Sequence, residues 1–170
     1  DGTYLWVSFP MLEKYDGNQG TKVVKIDMAT KEIMNDYDVG RGPEQLTILN
    51  NQLYVSRKFY SMDWHEIYHG TSVINNEIIK AEYLLGSPCG GSILTYNDKV
   101  YRSFEGGIAP INSNLEINEL ARIGNYDQTQ VYHVEIINGN IWFAITDFED
   151  FNEVRVINLN EDEIASYQVG

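Results

Sequence analysis

The feature that most constrains this sequence is an internal repeat of four related units. Each unit runs from an apolar strand through a polar turn to a strand with a central aromatic residue, then to two further strands and a glycine. The central aromatic residues are Trp6, Tyr54, Tyr101 and Trp142, and the closing glycines are Gly40, Gly86, Gly124 and Gly170. The pattern predicts one structural unit used four times in succession.

Matched turns support the same repeat. Asn, Asp and Gly tolerate the positive φ of a two-residue hairpin, so they predict antiparallel strands joined by short connections. The turns before the aromatic strands are Asn50-Asn51-Gln52, Asn97-Asp98-Lys99 and Asn138-Gly139-Asn140. The last strand of each unit opens on Glu32-Ile33, Glu77-Ile78, Glu116-Ile117 and Glu163-Ile164.

The repeat predicts four strands per unit, labelled A to D in chain order. Strand A is predicted at 46–49, 92–96 and 131–137, and strand B at 4–8, 52–57, 99–104 and 140–146. Strand C is predicted at 22–27, 71–74, 107–111 and 153–159, and strand D at 33–39, 78–85, 117–123 and 164–169. A four-stranded meander repeated in this way is the blade of a β-propeller, and a blade must pack on its neighbours to bury its faces. We expect blades at 1–40, 41–86, 87–124 and 125–170.

The first unit lacks an innermost A strand, because residues 1–3 are too few to form one. The last unit holds no spare strand that could fill this gap. We therefore expect a partial ring that belongs to a propeller of about six to eight blades, within the range typical of the fold. A compact four-bladed ring and a ring built from two chains are the alternatives.

Composition agrees with an all-β chain and excludes several classes of function. Twenty-five acidic and 12 basic residues give a formal net charge of −13, which repels nucleic acid and anionic membrane surfaces. No apolar run approaches the roughly 18 residues that a membrane-spanning helix needs. The first residues do not resemble a signal peptide, and we expect a soluble chain. The single cysteine, Cys89, excludes an internal disulfide framework.

Two segments resemble a known family. The run Val39-Gly40-Arg41-Gly42-Pro43-Glu44-Gln45-Leu46, followed by Asn51-Gln52-Leu53-Tyr54-Val55-Ser56, resembles the Gly-x-x-Pro turn and Tyr-Val strand of YVTN/YncE-like bacterial propellers. Val24-Lys25-Ile26-Asp27 with Ala29-Thr30-Lys31-Glu32-Ile33 looks like the hairpin of the same family. Later units depart from the pattern: Asn125-Tyr126-Asp127 lacks the proline, and Arg102 replaces the second valine.

The resemblance implies a propeller at the cell surface or in the periplasm of a Gram-negative bacterium. Some members are lipoproteins beside an outer-membrane importer, and some hold cobalamin or another small molecule on one face. The resemblance implies no catalytic residues, and the sequence implies no cofactor. The expected partners are therefore a small molecule or an envelope protein, with no nucleic acid.

In a propeller the B–C loops and the D–A links emerge on one face, so a binding site is expected there. The ligand-binding candidates in these segments are Trp64, Tyr68, Tyr60, Arg41, Tyr126 and Asp127. Exposed aromatic rings with polar groups suit a planar ligand, a sugar or a partner loop. The alternative is that Trp64 and Tyr68 pack under their own loop, and we favour such local packing for Phe9 and Phe148. Tyr15 and Cys89 lie in the same group of connections.

The segment His65-Glu66-Ile67-Tyr68-His69 matches the H-E-x-x-H pattern of zinc peptidases. That chemistry needs a helix that places both histidines on one face, with the glutamate activating water. Here the segment lies between strands and is followed by Gly70. A zinc-dependent hydrolase using His65, Glu66 and His69 is therefore the alternative to our leading interpretation, a non-catalytic binding or scaffold propeller.

The remaining motifs give no positive sign of catalysis. The sequence contains no Gly-rich phosphate loop, no Ser-His-Asp constellation and no Cys-x-x-Cys pair. The acidic run Asp147, Glu149 and Asp150 lacks the order of an EF-hand loop, and we interpret it as solvated. A third possibility is a structural subunit of an envelope assembly, whose aromatic loops would contact another chain.

Overall fold

The structure, a computed structural model, describes residues 2–11, 19–85 and 91–169. Predictions that fall on Tyr15, Gly86, Cys89 and Gly170 therefore lie outside the described residues. The chain divides into two compact units, Asp1–Gly86 and Ser87–Gly170. Within the described residues no helix is long and apolar enough to cross a membrane.

The first unit contains two antiparallel sheets. The first sheet has the order β1-β2-β3, from β1 (Tyr4–Met11), β2 (Gln19–Asp27) and β3 (Ile33–Asp38). The second has the order β4-β5-β6-β7, from β4 (Pro43–Leu49), β5 (Gln52–Tyr60), β6 (Ile67–Ile74) and β7 (Ile78–Leu85). Among the residues that the structure describes, the first sheet has no counterpart of β4, as the sequence predicts.

The second unit also contains two antiparallel sheets. The third sheet has the order β8-β9-β10, from β8 (Ile93–Tyr96), β9 (Lys99–Phe104) and β10 (Gly107–Ile111). The fourth has the order β11-β12-β13-β14, from β11 (Val131–Ile137), β12 (Asn140–Thr146), β13 (Asn152–Ile157) and β14 (Glu163–Gln168). All the connections in these sheets join strands that are consecutive in the chain and adjacent in space.

The third sheet differs from the prediction of a regular strand over 117–123. Two isolated bridges, Ile108 to Ile123 and Ile111 to Ile117, stand in place of that strand. Between them Glu119–Ala121 forms a short 3-10 helix. The residues between Ile117 and Ile123 include Asn, Glu and Ala, which are depleted in strands, so the flanking isoleucines keep the pairing while the middle leaves the sheet.

The hairpin turns adopt the geometry that their residues predict. Asn50 and Asn51 have φ of 50° and 61°, and Asn97 and Asp98 have φ of 45° and 56°. Positive φ at both central residues matches the right-handed twist of the flanking strands. These turns fix the register, and the register decides which side chains enter the core.

Each unit buries its own core between its two sheets. In the first unit the fully or nearly fully buried members are Val23, Val39, Leu53, Val55 and Ile74, with Trp6, Tyr37 and Leu46 packed against them. In the second unit they are Leu94, Tyr101, Ile108, Val131, Val134, Ile141, Phe143, Ile145 and Ile157. Paired sheets thus exclude water from faces that a single sheet would expose.

Candidate functional site

Most of the aromatic residues at the β5–β6 hairpin lie within the two strands. The predicted loop over 58–70 is shorter in the structure, because β5 continues to Tyr60 and β6 begins at Ile67. Phe59 pairs with Tyr68 and Tyr60 pairs with Ile67. The prediction of a loop over 58–70 was therefore wrong for Phe59, Tyr60 and Tyr68, whereas Trp64 lies in the remaining loop. Continued ladder hydrogen bonding gives the rings a more rigid support than a loop would.

Five residues lie at this end of the second sheet, and we call them the Arg41 cluster: Arg41, Phe59, Tyr60, Trp64 and Tyr68. Successive strand residues point to opposite faces, so Phe59 with Tyr68 and Tyr60 with Trp64 form two separate ring pairs. The buried ring of Phe59 stacks on Tyr68, with centroids 5.5 Å apart and planes 16° apart. Tyr60 and Trp64 lie 4.9 Å apart with planes tilted by 36°. Trp64 remains 41% exposed. The cluster therefore holds one buried ring, that of Phe59, and one accessible indole, that of Trp64.

Arg41 brings a positive charge to these rings from the link between the first two sheets. Its Cζ lies 4.6 Å from the centroid of Phe59, a distance at which a cation is attracted to an aromatic face. Nη1 of Arg41 donates a hydrogen bond to the carbonyl oxygen of Tyr60 at 3.4 Å. The side chain is exposed. The expected meeting of a D–A link with B–C residues is thus present in the first unit.

A second guanidinium, that of Arg57, lies fully buried behind Phe59, with Cζ 5.4 Å from the ring centroid. Its Nη1 donates to Glu82 Oε1 at 3.3 Å and its Nη2 to the Ala81 carbonyl at 2.8 Å. Burial lowers the pKa of Arg57, and Glu82 opposes that shift. The guanidinium stays charged at neutral pH because its pKa begins far above that range.

Two glycines make the room for Arg57, a residue that sequence reasoning missed. A Cβ at Gly40 would lie 2.7 Å from Nη1 of Arg57, and a Cβ at Gly70 would lie 2.6 Å from Nη2. The two glycines that permit this burial are 30 residues apart in the sequence, so no local pattern indicates it. Only the pairing of the strands brings the glycines to the same side chain.

Trp64 occupies a strained turn. Its φ is +63°, a conformation that costs a bulky residue about 1–3 kcal/mol. Asp63 holds the turn by accepting hydrogen bonds from Ser61 Oγ and from the His65 N–H, and these bonds lower the pKa of Asp63. Ser61 N–H donates to the Glu66 carbonyl at 2.9 Å and closes the loop. The loop thus fixes the indole at its tip.

Tyr68 has its hydroxyl committed within the cluster. The hydroxyl donates a hydrogen bond to the carboxylate of Glu66. This bond raises the pKa of Tyr68, because ionising the phenol would remove the donated proton. Tyr68 is therefore a neutral ring at physiological pH.

The H-E-x-x-H segment does not form the helix that zinc peptidases use. His65 lies in the exposed turn, with Nδ1 2.8 Å from the Asp63 carbonyl oxygen. His69 is a buried residue of β6, paired with Lys58 and Tyr83 in the sheet. Among the described residues, His, Cys, Asp and Glu form no group of three or more that could hold a metal ion. The geometry does not support the hydrolase alternative.

Tyr126 and Asp127 lie in the second unit. The ring of Tyr126 packs 4.8 Å from that of Phe143, and burial raises the pKa of Tyr126. Asp127 accepts hydrogen bonds from the Thr129 hydroxyl at 2.7 Å and the Thr129 N–H at 2.9 Å, and both bonds lower its pKa. Packing and turn formation account for these contacts, while ligand binding by the pair stays a prediction.

The chemical capacity of the Arg41 cluster is recognition. One face of the sheet offers the exposed indole of Trp64 on Tyr60, and the other offers the Arg41 guanidinium on the Phe59–Tyr68 ring pair. These groups can hold a flat molecule by stacking and by hydrogen bonding.

Comparison with solved structures connects this architecture to a known fold. No protein-family model and no curated protein matches the chain. A structure titled "Dihydro-heme d1 dehydrogenase NirN in complex with DHE", which contains a β-propeller, superposes on 99% of the chain with a TM-score of 0.58 and 12% identity. The chain spans 36% of the length of that protein. The likeness confirms the predicted fold: the sheets are blades of an all-β propeller, and we number them 1 to 4.

Proposed function

We propose that this chain is part of a non-catalytic binding propeller, which holds a small molecule or a partner protein where B–C and D–A segments meet. The observation that carries the proposal is the Arg41 cluster of blade 2. Its rings are set on paired strands, while Trp64 is presented to solvent by a strained turn. Trp64 packs on Tyr60 with one part of its ring, and the exposed remainder is the apolar surface that a ligand would cover.

The proposal includes a ring of about six to eight blades and membership of the YVTN/YncE-like group. The quoted Gly-x-x-Pro turn and Tyr-Val strand support the family assignment. The fold likeness to a protein whose title names a complex with DHE supports small-molecule binding by this kind of propeller. Location at the cell surface or in the periplasm of a Gram-negative bacterium follows from the family assignment, as does partnership with an outer-membrane importer.

The experiment begins with the full-length protein purified from its native host and with mass spectrometry of the small molecules that co-purify. The identified molecule, or the identified partner, is then titrated into wild type, Trp64→Ala and Tyr68→Ala. Loss of an aromatic anchor is expected to weaken binding by about tenfold or more.

Phe148→Ala is the matched control, because Phe148 also has positive φ, at 65°, in an exposed loop of blade 4. We expect its affinity to equal that of wild type. Unchanged affinity in both the Trp64 and Tyr68 variants would place the binding site elsewhere on the protein.

A further inference from the structure

Strand β5 extends beyond the end of strand β4, its partner on one edge. Pairing with β4 ends at Arg57, which lies opposite Pro43, whereas pairing with β6 continues to Tyr60, which lies opposite Ile67. Residues 58–60 therefore have no β4 partner on the edge that points away from β6. The backbone N–H groups on that edge need other acceptors, because an unpaired N–H away from water costs free energy.

Blade 1 and its link to blade 2 supply these acceptors. The Lys58 N–H donates to the Gly42 carbonyl oxygen at 2.8 Å, and the Gly42 N–H donates to the Gly20 carbonyl oxygen at 2.9 Å. The Tyr60 N–H donates at 3.2 Å to Oε1 of Gln19, the first residue of β2. A side chain of blade 1 thus takes the place of a neighbouring strand beside Tyr60.

The backbones at this junction approach each other so closely that only glycine fits. A Cβ on Gly42, whose φ is +65°, would overlap the carbonyl oxygen of Lys58. A Cβ on Gly20 would overlap the carbonyl oxygen of Phe9. Gly20 is buried and directly follows Gln19, so close packing sets the point from which the Gln19 side chain reaches β5.

Tyr60 is the last strand residue before the loop that carries Trp64. The Trp64 N–H donates to the carbonyl oxygen of Ser61, the residue directly after Tyr60, at 3.0 Å. The Trp64 ring also packs on the Tyr60 ring, with the centroids 4.9 Å apart. The position of the Tyr60 backbone therefore determines both the start of the turn and the ring on which the indole lies.

We infer that Gln19 is a positioning residue for Trp64, so that blade 1 determines where the indole of blade 2 lies; its importance for binding rests on the proposed function. Arg41 holds the same residue from the link, since its Nη1 donates to the Tyr60 carbonyl oxygen at 3.4 Å. An aromatic side chain that is already held in place loses less conformational entropy when a ligand covers it. The Gln19 bond therefore favours binding without touching the ligand.

The test uses the full-length protein with no ligand added. Mass spectrometry measures hydrogen exchange at the Tyr60 amide, and fluorine NMR of fluorotryptophan-labelled protein reports on Trp64, whose resonance is assigned with Trp64→Phe. Gln19→Ala removes the acceptor, so exchange at Tyr60 should rise about fivefold or more. The Trp64 resonance should shift, while those of Trp6 and Trp142 stay in place. Gln19→Glu keeps an oxygen acceptor and should retain the wild-type result in both measurements.

Gln52→Ala is the matched control, because Oε1 of Gln52 accepts a hydrogen bond from the Tyr54 hydroxyl at 2.8 Å at the other end of β5. It should leave both measurements at their wild-type values. An unmoved Trp64 resonance in Gln19→Ala, with or without faster exchange at Tyr60, would overturn the inference. The proposed function would survive that result, since it is tested by ligand binding to Trp64→Ala. Equal changes in Gln52→Ala would also overturn the inference, because they would show a general loosening of the sheet.

Discussion

Both units contain a blade-closing glycine with positive φ, but the side chain that covers this glycine is charged in the first unit and apolar in the second. Gly40 closes blade 1 with φ of +89°, and Gly124 closes blade 3 with φ of +90°. In each case a side chain from the second strand of the following blade lies over the glycine. That side chain is Arg57 over Gly40 and Phe143 over Gly124.

The difference separates a packing site from the site that we propose for binding. Over Gly124, Phe143 meets the ring of Tyr126 and completes an apolar core. Over Gly40, Arg57 places a charge beside Phe59, on whose ring the exposed Arg41 also lies. The same junction therefore completes an apolar core in the second unit, whereas in the first unit it holds two guanidinium groups against one aromatic ring.

The B–C loops of blades 2 and 4 also share a backbone conformation and differ in the surroundings of the side chain. Trp64 follows Asp63 with φ of +63°, and Phe148 follows Asp147 with φ of +65°. Trp64 packs against Tyr60, whereas Phe148 meets Tyr132 edge-on at 6.2 Å and is 63% exposed. A shared turn thus presents an aromatic side chain in both loops, and the neighbouring residues decide what surface it joins.

The largest expected effect comes from removing Phe143, the side chain that covers Gly124; Arg57, which covers Gly40, provides the contrast. Phe143→Ala should lower the free energy of unfolding by about 3–5 kcal/mol, because it leaves a cavity in a closed apolar core. Arg57→Met keeps the volume and removes a buried charge, so we expect a change within about 1.5 kcal/mol of either sign. Chemical denaturation measures both.

Phe143→Leu keeps most of the apolar volume and is the control for the cavity. Its loss should be clearly smaller than that of Phe143→Ala. A loss in Arg57→Met as large as that in Phe143→Ala would show that the charge stabilises the first unit, and the contrast drawn between the units would fail.

A smaller effect is expected from the glycines themselves. Gly40→Ala and Gly124→Ala should each destabilise by about 1–3 kcal/mol, because both would force an alanine to positive φ. Gly124→Ala should cost more, since its Cβ would lie 2.8 Å from the Phe143 ring, whereas the guanidinium over Gly40 can shift. Thermal and urea unfolding would check the order.

Gly139→Ala separates strain from contact, since Gly139 has φ of +79° with its nearest atom, Tyr96 Oη, at 3.4 Å from the added Cβ. It should resemble Gly40→Ala. The reverse order, with Gly40→Ala costlier than Gly124→Ala, would mean that Arg57 is held more firmly than Phe143.

The smallest expected effect is a pH dependence of the two loops. Hydrogen bonds lower the pKa of Asp63, chiefly from Ser61, and of Asp147, chiefly from the N–H of Glu149 and then of Phe151. A lowered folded pKa gives stability that is present above the ordinary value of 3.8 and is lost as the pH falls through the folded pKa. Asp63→Asn and Asp147→Asn should therefore be less stable than wild type at pH 7, with a smaller gap at pH 3.

Asp147→Asn should show the larger gap at pH 7, because Asp147 accepts two backbone N–H bonds at 2.9 Å. Urea denaturation at the two pH values measures the gaps. A gap that widens on acidification would contradict the sign of both pKa shifts.

Much of the fold was readable because its information is local. The residues of β9, β10, β11 and β12 coincide with the predicted strands, since alternating apolar residues and Asn or Gly turns determine them within a few positions. The region 117–123 failed because its isoleucines suggested a strand, while the residues between them favour a 3-10 turn. The predicted B–C loop of blade 2 was longer than the observed one, because the point at which strand pairing ends depends on the partner strand.

The sequence by itself determined the repeat, the all-β class, the hairpin turns and the aromatic and charged residues available for binding. Tertiary structure decided which of them meet: Arg57 lies over Gly40 and Gly70, and Arg41 lies over Phe59. It also placed His65 in a turn and His69 in a strand, where the motif has no helix. The physical reason is that turns and strands are set by neighbours in the chain, whereas burial and charge pairing are set by neighbours in space.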